Sequence, residues 1–112
     1  MAEKIYIDIA CGLARVGGNE GLYRRRLGKF ESSVDIPGID KAISAGNYSV
    51  AVEFVHEARC AAGNLALPSF SESCTVLMEE LRSGKAPNEE SLASFKRLFE
   101  ETKTAVTDYL NE

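Results

Sequence analysis

"NYSVAVEFVHEARCAAGNLALP", residues 47–68, carries a helical repeat almost without interruption. Ala51, Phe54, Val55, Ala58, Ala62 and Leu65 recur at three- and four-residue steps, so they form one stripe on an α-helix. Asn47 starts this helix, and Pro68 prevents its simple continuation while suiting the first turn of another. In that next helix Phe70, Cys74, Leu77 and Leu81 form a second stripe, ended by "RSGKAP". Asn88 caps the last helix, Glu89 and Glu90 complement its N-terminal dipole, and Leu92, Phe95, Phe99, Val106, Tyr109 and Leu110 supply its inner face.

Upstream of Asn47 the pattern is shorter. A first helix is expected from near Ile7 to Arg15, stopping at Gly17-Gly18. Asn19 then caps a helix whose apolar positions Leu22, Tyr23, Leu27, Phe30 and Val34 reach the stretch "VDIPGID", which reads as a break. A brief helix, "IDKAISAG", ends at Gly46. Only "KIYIDI", residues 4–9, hints at period-two alternation. The expected fold is therefore all-α, an antiparallel up-and-down four-helix bundle with one or two short additional N-terminal helices, in a single domain over residues 1–112.

Composition excludes several classes of function. A net charge of −4 argues against a general nucleic-acid binder, which needs a cationic face to neutralise phosphates. The run Arg24-Arg25-Arg26 with Lys29 spreads round a helix and reads as a solvated face. Three cysteines, Cys11, Cys60 and Cys74, with no CxxC pair, fit a reducing cytoplasm better than a disulfide framework. Cys11 and Cys74 read as core residues. One histidine and three scattered cysteines do not make a zinc-site pattern. No apolar run approaches membrane-spanning length, and no P-loop or dinucleotide fingerprint is present.

His56 is the only histidine of the chain, and it points about 140° away from the apolar stripe of its helix at 100° per residue. Ser49, Val52, Arg59, Cys60 and Gly63 share its face. Three of these are small and leave the imidazole accessible to another surface. Gly63 in mid-helix costs about 0.5–1 kcal/mol relative to Ala, and close approach is one reason to have it. A neutral imidazole is a nucleophile at physiological pH, and the adjacent guanidinium can pair with phosphoryl oxygens. The set suits a histidine that carries a phosphoryl group. A lone histidine beside an arginine is equally what an ordinary solvated helix face presents.

"FVHEARCAAGNLAL" resembles the signature of the histidine phosphotransfer (HPt) domain family, H-x-L-K-G-x-A-x-x-x-G-A, with His56 on the phosphorylated histidine and Arg59 on the usual lysine. Gly63-Asn64-Leu65 is similar to a frequent "GN(I/L)" continuation. "GLARVGGNEGLYRRRLGKF", residues 12–30, resembles the "GL.R..GN..LY..LL..F" opening of such domains. "AISAGNYSVAVEFVH", residues 42–56, and "LMEELRSGKAPNEE", residues 77–90, resemble the approach to the histidine and the end of the following helix. There are departures. Arg59 replaces lysine, Cys60 a glycine and Ala58 a leucine, and Ala66 replaces a later glycine, an exchange expected to be tolerable in a helix or its final turn. Met78 stands where several members carry a polar residue that supports the phosphohistidine.

The resemblance implies a cytoplasmic, monomeric phosphocarrier of a multistep phosphorelay rather than a self-sufficient enzyme. Its partners would be response-regulator receiver domains and a hybrid sensor histidine kinase, with no nucleic acid and no direct membrane contact. His56 would accept the phosphoryl group and Arg59 would stabilise it. Val52, Cys60, Gly63 and Met78 would contribute to docking. No cofactor is expected on this chain, Mg²⁺ being held by the receiver. The rival readings are a phosphorylation-independent module that binds a signalling partner, and a bundle enzyme or ligand carrier with His56 recessed in a pocket.

Overall fold

A computed structural model describes residues 5–112. The first four residues, including Lys4 of the strand-like stretch, lie outside the described residues. Among the described residues the chain is all-helical, with α1 (Ile9–Arg15), α2 (Glu20–Leu27), a 3₁₀ turn (Glu31–Ser33), α3 (Ile36–Ser44), α4 (Tyr48–Asn64), α5 (Pro68–Arg82) and α6 (Glu89–Leu110). α4 packs on α5 and α3, and α5 packs on α6.

Local chemistry explains most of the boundaries. The Asn19 side chain accepts from the Leu22 N–H at 3.0 Å, and Asn88 Oδ1 accepts from the Glu90 N–H at 2.8 Å. Pro68 occupies the first turn of α5, where a missing N–H leaves no bond unmade. Two expectations change. The helix that starts after Asn19 does not run through to Val34: it ends at Leu27, and the hydroxyls of Ser32 and Ser33 both donate to the Lys29 carbonyl, offering the backbone an alternative to helix. Phe30 and Val34 remain buried all the same. The stretch "VDIPGID" is not a break but the start of α3. Asp35 accepts from the Gly38 N–H at 3.0 Å, and the proline stands in the first turn.

The core is continuous across the elements. Phe70 of α5 meets Phe30, Phe95 and Phe99 with ring centroids 5.3–5.8 Å apart, in tilted and edge-on arrangements. Ala51, Val55, Ala58 and Ala62 of α4 are buried, as the periodicity predicts. Arg24 turns away from solvent, lying 4.4 Å from the Tyr109 ring centroid and donating to the Tyr109 carbonyl at 2.9 Å, which ties α2 to the end of α6.

The α4–α5 turn is held from three sides. Leu67 N–H bonds to the Ala62 carbonyl and Ala66 N–H to the Gly63 carbonyl, which is the paired closure of a Schellman motif. That closure places Ala66 at φ 60°, in the left-handed region. The alanine at this position is therefore strained rather than simply tolerated, because its Cβ meets the penalty that glycine avoids. Tyr23 reaches in from α2 and donates to the Leu65 carbonyl at 2.8 Å. Residues 5–8 are an extended strap, not a sheet strand: Asp8 N–H bonds to the Ala66 carbonyl, and Ser69 donates to the Ile5 carbonyl through both N–H and Oγ.

Two substitutions test this description by equilibrium denaturation. A Cβ at Gly12 of α1 would collide with the ring and hydroxyl of Tyr23, so Gly12→Ala is expected to destabilise the fold by about 1–3 kcal/mol. Ala66→Gly is expected to stabilise it by about 0.5–1 kcal/mol, since the relief of left-handed strain exceeds the added entropy of the unfolded chain.

Candidate functional site

The site is the outward face of α4. Its inner alanines and Val55 bury completely and fix the helix's rotation, which carries His56, Arg59 and Cys60 outward into solvent. Ser49 is exposed two turns toward the N-terminus. Val52 is half-buried and packs against the core edge, so only part of it is offered to a partner. A Cβ built at Gly63 meets nothing within 4 Å, so that glycine leaves real clearance over the helix. Of the sequence-derived face, Ser49, His56, Arg59 and Cys60 are exposed, while Val52 and Gly63 are half-buried.

Met78 is 1% exposed and belongs to the core of α5. It is not a docking residue. Its thioether fills space between helices, consistent with the flexible packing role of methionine. Cys11 departs in the opposite sense: it is exposed on α1. Cys74 is buried as expected, and burial pushes its thiol up to about 12.

Cys60 is closer to the chemistry than spacing alone conveyed. Its Sγ lies 3.6 Å from His56 Nε2, one turn along α4. The thiol and imidazole therefore form one polar unit on the exposed face, and Arg59 is exposed one turn from His56 as well.

The structure adds cations that sequence reasoning assigned to a plain solvated surface. Arg26 and Lys29 of the basic run join Arg15 of α1 around a groove of about 540 Å³ that also takes in Ala61, Asn64 and Leu65. The signal was present in the sequence, but it needed the docking of α1 and α2 against α4 to become a patch. On the other side of α4 a smaller hollow of about 190 Å³ brings Gly63 together with Asp8, Cys11 and Arg15 of the N-terminal region and Ser71 of α5. A third groove, about 370 Å³, runs between α5 and α6 and is lined by residues such as Ser73, Val76 and Ser91, not by the histidine. His56 is therefore not a recessed acid–base group in any of these hollows.

Among the described residues no cluster of three or more His, Cys, Asp or Glu side chains could hold a metal ion, and no helix is long and apolar enough to cross a membrane. No protein-family model matches this chain, and neither a curated protein nor a solved structure matches it.

Thiol accessibility checks the site. A thiol-specific reagent is expected to label Cys11 and Cys60 in the folded chain, and Cys74 only after denaturation. Rapid labelling of all three thiols in buffer would contradict the placement of α5.

Proposed function

We propose that this chain is a histidine phosphotransfer domain of a multistep phosphorelay, its helices arranged as a four-helix bundle with short N-terminal additions. The observation that carries the reading is the exposed His56 on the rigid face of α4, with the Arg59 guanidinium one turn away and clearance at Gly63. A second observation supports it. The motif that places His56 on the phosphorylated histidine places a glycine at position 66, and position 66 has the left-handed backbone that glycine serves. The opening stretch of the resemblance agrees as well: Gly12 and Tyr23 touch each other, and Tyr23 bonds to Leu65 beside that turn.

In this reading an aspartyl phosphate on a receiver domain docks over α4. The lone pair of His56 Nε2 attacks phosphorus in line, an N–P bond forms, and the O–P bond to the receiver's carboxylate breaks, the electron pair leaving with that oxygen. Arg59 pairs with the phosphoryl oxygens as charge shifts between the two proteins. The reverse geometry delivers the group to a second receiver's aspartate. The divalent cation expected in phosphoryl transfer belongs to the receiver's acidic site in this scheme. Arg15, Arg26 and Lys29 form a cationic rim beside the histidine face that favours approach of such an acidic surface and makes association salt-dependent. A cytoplasmic location follows from the proposed partners.

The test is transfer from phosphorylated receivers to the purified chain. Acid-labile, alkali-stable label is expected on the wild type and not on His56→Ala, whose stability should change by less than about 0.5 kcal/mol because the side chain is exposed. Arg59→Ala is expected to slow transfer roughly 10- to 100-fold, the loss of one charge-assisted hydrogen bond, and Arg59→Lys to restore most of it. Binding of receivers without any label on wild type would instead favour a phosphorylation-independent docking module.

A further inference from the structure

The His56–Cys60 pair has a second chemistry. Both side chains are ligands for soft and borderline metal ions, and the pair stands one turn apart on an exposed helix with Nε2 and Sγ separated by 3.6 Å. A tetrahedral zinc ion, with Zn–N of 2.0–2.1 Å and Zn–S of 2.3 Å, has a nitrogen-to-sulfur edge of about 3.5–3.6 Å. The two donor atoms are therefore spaced as neighbouring corners of a zinc tetrahedron without moving the backbone. A thiol–imidazole contact explains the proximity but not the accessibility of both donors to a common third atom.

Among the described residues this chain supplies no third ligand within reach, so two corners remain open. A second copy can fill them. Two turns along the helix on either side of His56 stand the small residues Ser49 and Gly63, and a Cβ at Gly63 would meet nothing within 4 Å. Two copies related by a two-fold axis present the same face to each other, and each contributes one nitrogen and one sulfur. The sum is a Cys₂His₂ set, the ligand composition of closed structural zinc sites. Glu53 and Glu57 are exposed on the same helix, so α4 carries anionic as well as cationic side chains around the pair.

We propose that His56 and Cys60 form half of a site for a zinc-class divalent cation, completed by the same pair from a second copy of the chain. His56 binds through Nε2 as the neutral imidazole. Cys60 binds as the thiolate, and its proton passes to water. The consequence for signalling rests on the proposed function: the metal occupies the nitrogen that would accept the phosphoryl group, so the bridged dimer is closed to phosphotransfer and the metal-free monomer is open to it. The site itself does not depend on that reading.

Cobalt(II) titration of the reduced 112-residue chain, followed by absorbance and by sedimentation, provides the test. Expected are a thiolate-to-metal charge-transfer band with the visible absorption of tetrahedral cobalt, saturation at one ion for two chains, a matching shift from monomer to dimer, and displacement of the colour by zinc. Cys11→Ser should retain all of these, while His56→Ala and Cys60→Ser should each abolish them. Colour that survives Cys60→Ser, colour lost in Cys11→Ser, or a chain that stays monomeric at saturating metal overturns the proposal. Phosphotransfer to the metal-free protein is scored separately. Its absence would count against the phosphorelay reading and leave the metal result standing, whereas unimpeded transfer to the cobalt-saturated protein would overturn the proposed blockade.

Discussion

The hydrogen bond from Tyr23 to the Leu65 carbonyl, 2.8 Å long and wholly buried, joins the parts of this fold that sequence order keeps apart. It lies at the end of α4, where the last carbonyls of a helix have no intrahelical partner and must be satisfied from outside. The tyrosine can reach that carbonyl because α1 offers a glycine, Gly12, where any side chain would collide with the ring. Burial and the lost solvation of a phenolate push the Tyr23 hydroxyl up to about 12, so it stays a donor throughout the physiological range. The N-terminal strap then closes over the same turn through Asp8 and Ser69. Together with the buried side chains of Leu27 and Phe30, this junction holds the N-terminal helices in place, and the cationic groove of Arg15, Arg26 and Lys29 depends on that placement.

The junction also orients the candidate site. Rotation of α4 about its axis would expose its buried stripe, and contacts at the helix end add to that constraint. Here α4 is pinned at its C-terminus by the Schellman closure, the tyrosine and the strap together. Its inner face, Ala51, Val55, Ala58 and Ala62, lets neighbouring helices come close, and the rotation so fixed turns His56, Arg59 and Cys60 outward as a group. The exposure of the histidine is therefore a product of the core, not of a flexible loop. A reactive group that must be presented repeatedly to another protein benefits from such rigidity, because orientation lost before docking has to be recovered during it.

Much of this was legible in the residues, and the exceptions have physical causes. The stripe of α4, the caps at Asn19 and Asn88 and the proline that opens α5 are local signals, and each appears where its chemistry puts it. The ending of α2 was less legible, because Phe30 and Val34 keep the apolar spacing of a helix while Ser32 and Ser33 divert the backbone bonds. Pro37-Gly38 looked like an interruption because the capping role of Asp35 acts through one side-chain bond that periodicity does not register. Met78 and Cys11 exchanged places relative to expectation: a mid-helix methionine and a cysteine near a chain end have no fixed preference until their neighbours are known. The strain at Ala66 could be found only from backbone geometry, since alanine reads as an ordinary helical residue.

The composition of the exposed face is informative about what must come from elsewhere. His56 offers an imidazole and Arg59 a cation, yet among the described residues no metal-holding cluster and no enclosing pocket accompanies them. Under the proposed function, chemistry at such a face waits for a second molecule, and the open space over Gly63 would admit it. Cys60 sharpens the consequence. A glycine there would leave Nε2 to a phosphoryl donor alone, whereas in the proposed metal site the thiol 3.6 Å away would make the same nitrogen one arm of a chelate. Under the proposed function, the departure from the family pattern at position 60 would then not be a neutral exchange of one small residue for another. It would set two kinds of partner, an acidic receiver and a metal-bearing second copy, in competition for one atom.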